Sequence, residues 1–496
     1  MAPAHDERWY HERWNLEPWQ HEAWPTVAPP AEPPRQPRYP DQRPRSTVVG
    51  TPALSPPARG RGTRRLLVLA GWVGLGVSVW LWFANTPPGS VDGTPAMLVE
   101  AGRITGLIAG YVLLVQVLLM SRVGWLERRI GGNELMGWHR DLGGLLVVMV
   151  LAHAALLILG YAGYDESSPI HETWSMLTTY EDMISAFVAT GLLVGIGVLA
   201  IRAIRAVMPY ELWYFLHLTS YAVLLLSYGH LFASGRELAD LGFGRVYWLA
   251  LYAFVVANLA WGRLLGPVVL NLRHRLRVAE VVPEGQDMFS VYIRGRRLDR
   301  LRARAGQYFR WRFLTRGCWW QAHPFSLSAA PNDQYLRLTI KAVGGHTERL
   351  RWLEPGARVF AEGPSGVFTA DRRTRYRALL IAGGSGIAPI RALLEELPRG
   401  AIVIYRASSP ADLIFREELD WLATRRDAEV YYVIGARNDP VPRQVMSPKG
   451  LRGIVPDVQR RDVYLCGPEG LVTSAVAILR RLRVRRKQIH VDPFEF

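Results

Sequence analysis

The stretch "WHRDLGGLLVVMVLAHAAL", from Trp138 to Leu156, holds two histidines, His139 and His153, with a nearly all-apolar run between them. Imidazole nitrogens are costly in hydrocarbon unless something satisfies them. On a straight helix, fourteen residues span about 21 Å and nearly four turns, so both rings face one side. A later apolar block, "YELWYFLHLTSYAVLLLSYGH", carries a second pair, His217 and His230. With the two blocks running in the same direction, His139 stands level with His217 and His153 with His230. Two histidines facing each other across a bundle can ligate one iron axially, and two such layers hold two b-type haems. Gly143 and Gly144 keep the helix surface thin where a porphyrin would lie. A single membrane histidine is usually satisfied by a neighbouring helix, whereas four in two matched layers point to ligation. Thirteen residues make about 3.6 turns, so His217 and His230 do not share a face on an ideal helix. Tilt, a local distortion or a sideways offset between the haems are the open solutions. His171 lacks a partner of this kind and reads as a solvated loop residue.

The second half carries different chemistry. "LLIAGGSGIAP" is a strand, a glycine turn and a helix start, including Gly383, Gly384, Gly386 and Pro389. Without side chains, a backbone can approach a pyrophosphate at a helix N-terminus. Cys466, followed by Gly467 and Pro468, ends a later strand at the sheet edge where such folds bind ligands. Arg406 and Arg437 follow the two strands between, and either can hold a 2′-phosphate, which favours NADPH over NADH.

Together with the paired histidines, "HPFSLS" (His323 to Ser328), "KAVGGHTERL" (Lys341 to Leu350), "GGSGIAP" and "CGP" resemble the ferric reductase and NADPH oxidase family. The resemblance covers about residues 100–496, and that family shows the same histidine spacings. Soluble ferredoxin reductases are similar but usually carry arginine where His323 stands. The resemblance implies FAD held by His323, Pro324, Phe325 and Ser326, with Phe325 packed on the flavin or its ribityl. It places Ser326 near the flavin N5, and Lys341 and Thr347 at the pyrophosphate. It sets Cys466 beside the nicotinamide. It also implies an aromatic near the C-terminus over the isoalloxazine, for which Phe494 is the first choice and Phe496 the second. The implied activity is transfer of electrons from cytoplasmic NAD(P)H through FAD and two b-type haems to an acceptor on the outer face. Ferric chelates are the first choice of acceptor. The alternatives are dioxygen, giving superoxide, and a haem relay that serves a partner protein or quinone.

These residues need a membrane bundle and a soluble module to position them. Six apolar blocks lie near 66–84, 102–121, 138–162, 183–204, 210–232 and 246–266, each about the length that crosses a bilayer core. Arginines flank them on one side, at Arg59 to Arg65, Arg122 to Arg129, Arg202, Arg205, Arg273 and Arg275. The linkers at 85–100 and 163–182 have neither lysine nor arginine, and the second is acidic. Both termini are therefore expected in the cytoplasm of a multi-pass plasma-membrane protein. From about 271, segments with period-two alternation such as "YLRLTIKAV" read as antiparallel strands; from about 376, strands alternate with helices. The expected fold is a multidomain membrane protein: a disordered Pro/Arg/Trp-rich tail (1–62), a six-helix bis-haem bundle (63–268), an antiparallel β-barrel for FAD (271–372) and an α/β nucleotide-binding domain (373–496). The net charge of +16 is nearly all arginine and is not gathered on one amphipathic element, which argues against a nucleic-acid partner. Two cysteines, Cys318 and Cys466, offer neither a disulfide framework nor a cysteine zinc site. No EF-hand loop occurs.

Overall fold

A computed structural model describes residues 59–493, apart from 88, 181, 236, 237 and 239–241. Residues 1–58 of the expected tail, and Phe494 and Phe496, lie outside the described residues.

The membrane part is helical throughout: α1 (Arg59–Ala84), α2 (Gly93–Leu119), the short α3 (Gly124–Ile130), α4 (Gly132–Tyr164), α5 (Pro169–Thr179), α6 (Met183–Leu199), α7 (Arg202–Val207), α8 (Tyr210–Leu218), α9 (Ser220–Ser234) and α10 (Phe243–Ala260). A π-helical turn, Trp261–Leu265, joins α10 to α11 (Gly266–His274). Among the described residues, five stretches are long and apolar enough to cross a membrane: Arg64–Ala84, Gly93–Leu119, Gly132–Tyr164, Leu212–Ser234 and Phe243–His274. The fourth expected block is the short one. Helix α6 has 17 residues, about 25 Å of rise, and meets α5 at a bend of 118°; the bent pair makes a sixth span if counted as one. The linker at 163–182 is thus partly helical. Pro169 opens α5, and Ser168 Oγ accepts the His171 N–H at 3.2 Å. His171 is exposed in that first turn rather than in a loop.

After α11 the chain forms β1 (Arg277–Pro283), β2 (Met288–Arg294), β3 (Tyr308–Phe313), β4 (His323–Ser326), β5 (Leu336–Lys341), α12 (Gly345–Arg349) and β6 (Val359–Ser365). They make two three-stranded antiparallel sheets, β1-β2-β5 and β4-β3-β6, joined by bridges at Leu327–Leu338 and Arg277–Arg358. Alternation decides the core: Phe309, Trp311 and Phe313 are buried, while Tyr308, Arg310 and Arg312 take the opposite face.

The last domain runs β7 (Ala378–Gly383), α13 (Ile387–Glu396), β8 (Ile402–Ala407), α14 (Arg416–Arg426), β9 (Glu429–Ile434), α15 (Pro440–Val445), α16 (Pro448–Ile454), β10 (Asp462–Gly467), α17 (Glu469–Arg481) and β11 (Ile489–Pro493). Its parallel sheet has the order β11-β10-β7-β8-β9 and is packed on both faces. The chain turns in opposite directions after β7 and β10, so the crevice between their carboxyl ends is the switch point where such sheets bind ligands.

Candidate redox centres

The unbroken helix α4 carries His139 and His153; His217 is in α8 and His230 in α9. The imidazole centres of His139 and His217 are 6.0 Å apart with planes at 79°; those of His153 and His230 are 6.3 Å apart at 64°. The thirteen-residue spacing is accommodated at Thr219, where the helix breaks and tightens. There Thr219 N–H bonds Leu216 O at 3.1 Å and Ala222 N–H bonds Thr219 O at 2.9 Å. Such i to i+3 bonding winds the chain faster than an α-helix, which turns His230 back toward the face of His217.

His153 is oriented from α2: its Nδ1 bonds the Gly102 carbonyl at 2.7 Å, which leaves Nε2 for the partner side. Gly106, one turn on, is the residue that makes room. A Cβ there would stand 2.5 Å from the His153 ring. His139 has its backbone carbonyl held by Gln116 Nε2 at 2.9 Å. Its Nδ1, like that of His230, is buried without a hydrogen-bond partner among the described residues. Trp213 stacks on His217 at 5.0 Å, and the Arg205 guanidinium lies 4.7 Å over Trp213. Gly143 lies 3.3 Å from Gln116, measured from its would-be Cβ, whereas Gly144 faces open space.

In the first soluble domain, β4 pairs with β3 so that His323 opposes Trp311, Phe325 opposes Phe309, and Ser326 opposes Tyr308. Pro324 opposes Arg310. His323 also stacks on His346 with ring centres 4.2 Å apart. Burial, then the charges of His323 and Arg349, pushes His346 down to about 4, so the His346 imidazole is neutral at physiological pH. Neither His346 nor Tyr308 stood out in the sequence. The Thr347 hydroxyl accepts from Val343 N–H (3.0 Å) and Gly344 N–H (3.2 Å), capping its own helix rather than pointing away. Lys341 pairs with Asp287 at 3.0 Å on the surface. Beside them, Gly344 and Gly345 border open space.

At the switch point the glycines are packed tightly on one side and open on the other. A Cβ on Gly386 would fall 2.3 Å from the Cys466 carbonyl, and one on Gly383 would fall 2.4 Å from Leu471; Gly384 faces open space at φ +54°. Pro389 is buried in the first turn of α13, and Pro468 caps α17. Gly467 pairs with Pro493, where the described chain stops. The Cys466 thiol is buried and donates to Asp492 O at 3.3 Å. Burial, then the Asp492 carboxylate, pushes it well above the ordinary thiol range, so it stays protonated. Arg406 ends β8 opposite Gly383. Burial first, and then the Arg437 charge, lowers its pKa, so the two guanidiniums lie within electrostatic reach of each other. Arg437 donates to Ser474 Oγ at 3.1 Å.

The comparisons agree with this division. Residues 105–228 match the ferric reductase like transmembrane component, 273–368 the FAD-binding domain and 380–477 the oxidoreductase NAD-binding domain. Over 194 residues the chain is 31% identical to ferredoxin–NADP reductase B of Sorangium cellulosum, covering 34% of this chain and 77% of that protein. It is 30% identical over 239 residues to the ferredoxin reductase component of 3-ketosteroid-9-alpha-monooxygenase from Mycolicibacterium smegmatis, 44% of this chain and 65% of the relative. Some relatives are spanned over only about half their length, such as 46% for the flavohemoprotein of Oceanobacillus iheyensis. Among solved structures, the Amycolatopsis cytochrome P450 reductase GcoB aligns at a TM-score of 0.37 and 24% identity, over 45% of this chain and 69% of its own. The chain therefore belongs to the ferric reductase and ferredoxin reductase superfamily, as a ferric-reductase-like transmembrane domain fused to an FAD- and NAD(P)-binding module, and is an NAD(P)H- and FAD-dependent oxidoreductase.

Proposed function

We propose that the protein carries electrons from cytoplasmic NADPH, or NADH, through FAD and two b-type haems to ferric chelates outside the cell, with dioxygen as the competing acceptor. The observation that carries this reading is the pair of ring separations, 6.0 and 6.3 Å. At such separations each pair, His139 with His217 and His153 with His230, would have room to hold one metal ion between its imidazoles. The bond from His153 Nδ1 to the Gly102 carbonyl is the support a ring that would bind through Nε2 needs. When bound, the haems supply one-electron carriers, and FAD links them to a two-electron donor.

The chain's own residues divide the remaining work. His139 and His217 form the inner layer and His153 and His230 the outer one. His323, Pro324, Phe325 and Ser326 hold the flavin. Lys341 exchanges Asp287 for the pyrophosphate, and Thr347 shapes the turn that meets it. Gly383, Gly384, Gly386 and Pro389, with Gly467 and Pro468, leave room for the nicotinamide nucleotide, whose 2′-phosphate Arg406 and Arg437 grip. The neutral Cys466 thiol lines the nicotinamide pocket, and Phe494, or else Phe496, covers the flavin. The two three-stranded sheets act as one barrel, within the domain limits 1–62, 63–268, 271–372 and 373–496. The arginine-flanked helix ends face the cytoplasm, with both termini. The test is haem and FAD content of the purified chain, with His139→Ala and His217→Ala. Loss of haem reduction by NADPH with flavin reduction intact supports the inner layer. Two haems per chain with unchanged spectra in either variant reject it.

A further inference from the structure

A cavity of about 920 Å³ opens between the flavin-side end of the last span and the outer face of sheet β4-β3-β6. Six arginines line it: Arg122, Arg128, Arg273, Arg300, Arg302 and Arg310. Three carboxylates oppose them, Glu127, Asp299 and Glu362. Glu362 is already shared, 2.7 Å from Arg122 and 3.8 Å from Arg312. Gathered guanidiniums of this kind leave positive charge uncompensated, and partly buried charge needs a counter-charge. Burial, then the neighbouring Arg310 and Arg263, pushes Arg122 down to about 10 despite Glu362. The walls come from four separate segments: the α2–α3 turn with α3, the end of α10 with α11, the β2–β3 connection with β3, and the end of β6.

The cavity's position favours one kind of anion. The last span runs without a stop from Phe243 to His274, 32 residues and about 48 Å of rise, against a hydrocarbon core of about 30 Å. Its far end therefore reaches past the core into the headgroup layer. Apolar side chains stay exposed along that end, Leu264 at 65% and Leu272 at 68%, with Leu265, Val268 and Val269 between them. Trp125 and Trp261, both in the cavity wall, are the residue type that anchors at this depth. An arginine chamber thus adjoins an apolar helix surface at the level of lipid phosphates. We propose that this cavity binds an anionic phospholipid of the flavin-side leaflet, its headgroup among the arginines and its chains along Leu264 to Leu272. The lipid then bridges the membrane helices and the flavin domain, and its phosphate supplies the missing negative charge.

The test uses the full chain purified in detergent and native mass spectrometry with dioleoylphosphatidylglycerol, dioleoylphosphatidylcholine or inorganic phosphate. The comparison variant is R273Q/R300Q/R302Q, whose three side chains are exposed at the cavity mouth. The wild-type chain is expected to retain about one phosphatidylglycerol with a preference of roughly tenfold or more over phosphatidylcholine, given several arginines near the phosphate. The triple variant should lose that preference while keeping its FAD absorbance. Equal retention of both lipids by the wild-type chain overturns the proposal, whether or not the variant folds. So does an unchanged preference in an FAD-loaded variant. Inorganic phosphate that displaces phosphatidylglycerol at equal concentration reveals a site for free anions and rejects the lipid.

Discussion

At the residue scale, the histidine layers depend on glycines that are distant in sequence. Gly106 has no side chain where a Cβ would strike the His153 ring. Gly106→Ala is therefore expected to displace His153 and remove the outer haem while the inner one stays. Haem per chain, from the pyridine haemochrome spectrum, should fall by about half, and an unchanged value would mean that the ring has another way to sit. The nicotinamide end offers a second test. With Arg406 and Arg437 gripping the 2′-phosphate as proposed, removing either should weaken NADPH by about 1.5–3 kcal/mol, the worth of a charge-assisted hydrogen bond, and spare NADH. Equal losses of both nucleotides, measured by titrating flavin reduction, would assign the arginines to structure instead. The four histidines and the glycine turns were legible because spacing and residue type alone mark them. Gly102 and Gly106 were not, since a glycine in an apolar span carries no sign of which ring it faces. His346 was hidden for a similar reason: it lies on the short helix α12, and its partner His323 lies on the strand β4, 23 residues earlier.

At the scale of elements, the two soluble domains are joined by a buried ionic network. Glu418 on α14 receives Arg337 from β5 at 3.0 Å and Arg391 from α13. Arg337 also bonds Ser328 O at 2.7 Å. Burial alone would raise the Glu418 pKa, but Arg391 and Arg337 hold it below the ordinary carboxylate range. Its contribution to stability is thus complete above the ordinary glutamate value of 4.5 and fades as pH falls through the lowered folded value. Glu418→Gln should cost about 3–5 kcal/mol at neutral pH, as expected for stranding the buried Arg337, whereas Arg391 keeps its ion pair with Glu395. It should also flatten acid denaturation below about pH 4.5, read as flavin release against pH. An acid profile identical to wild type would remove Glu418 from the network. Nothing in the local sequence announced this joint, because its members come from three elements whose register only the folded sheet sets. The span boundaries were legible from hydropathy, but the break at Thr219 was not. Thr219 sits in an apolar run that reads as one helix, and no glycine or proline marks the break, where the Thr219 hydroxyl donates to Leu216 O at 2.7 Å.

For the whole molecule, the flavin domain is seated on the membrane helices by specific bonds. Arg122 pairs with Glu362 at 2.7 Å, and Asn271 exchanges two hydrogen bonds with Ala361 at 2.8 and 2.9 Å. The inner histidine layer therefore lies on the flavin side by construction of the chain. With that side in the cytoplasm, as proposed from the arginine pattern, a cell-impermeant ferric chelate outside intact cells should be reduced at the expense of internal NADPH. Reduction only in inverted vesicles would reverse the orientation. The expected acidic outer surface is weaker than the composition implied. Glu172 is buried on α5, with Oε2 accepting from Ser167 at 3.3 Å, and Glu181 lies outside the described residues. Asp165, Glu166 and Asp182 remain exposed there. Burial of an acidic residue in an amphipathic helix is settled by which face packs, which charge counting does not reveal.

The central claim is that two histidine layers hold two haems in line with the flavin. Its most direct measurement is anaerobic reduction of the purified full-length chain by NADPH, with absorbance followed in the α-band of b-type haem and calibrated against FAD. The account requires about two reducible haems per FAD in the wild-type chain, one in His153→Ala or His230→Ala, and none reducible in His139→Ala despite a reduced flavin. A chain that binds FAD and oxidises NADPH but carries no haem, or one whose haem survives all these substitutions, would contradict it.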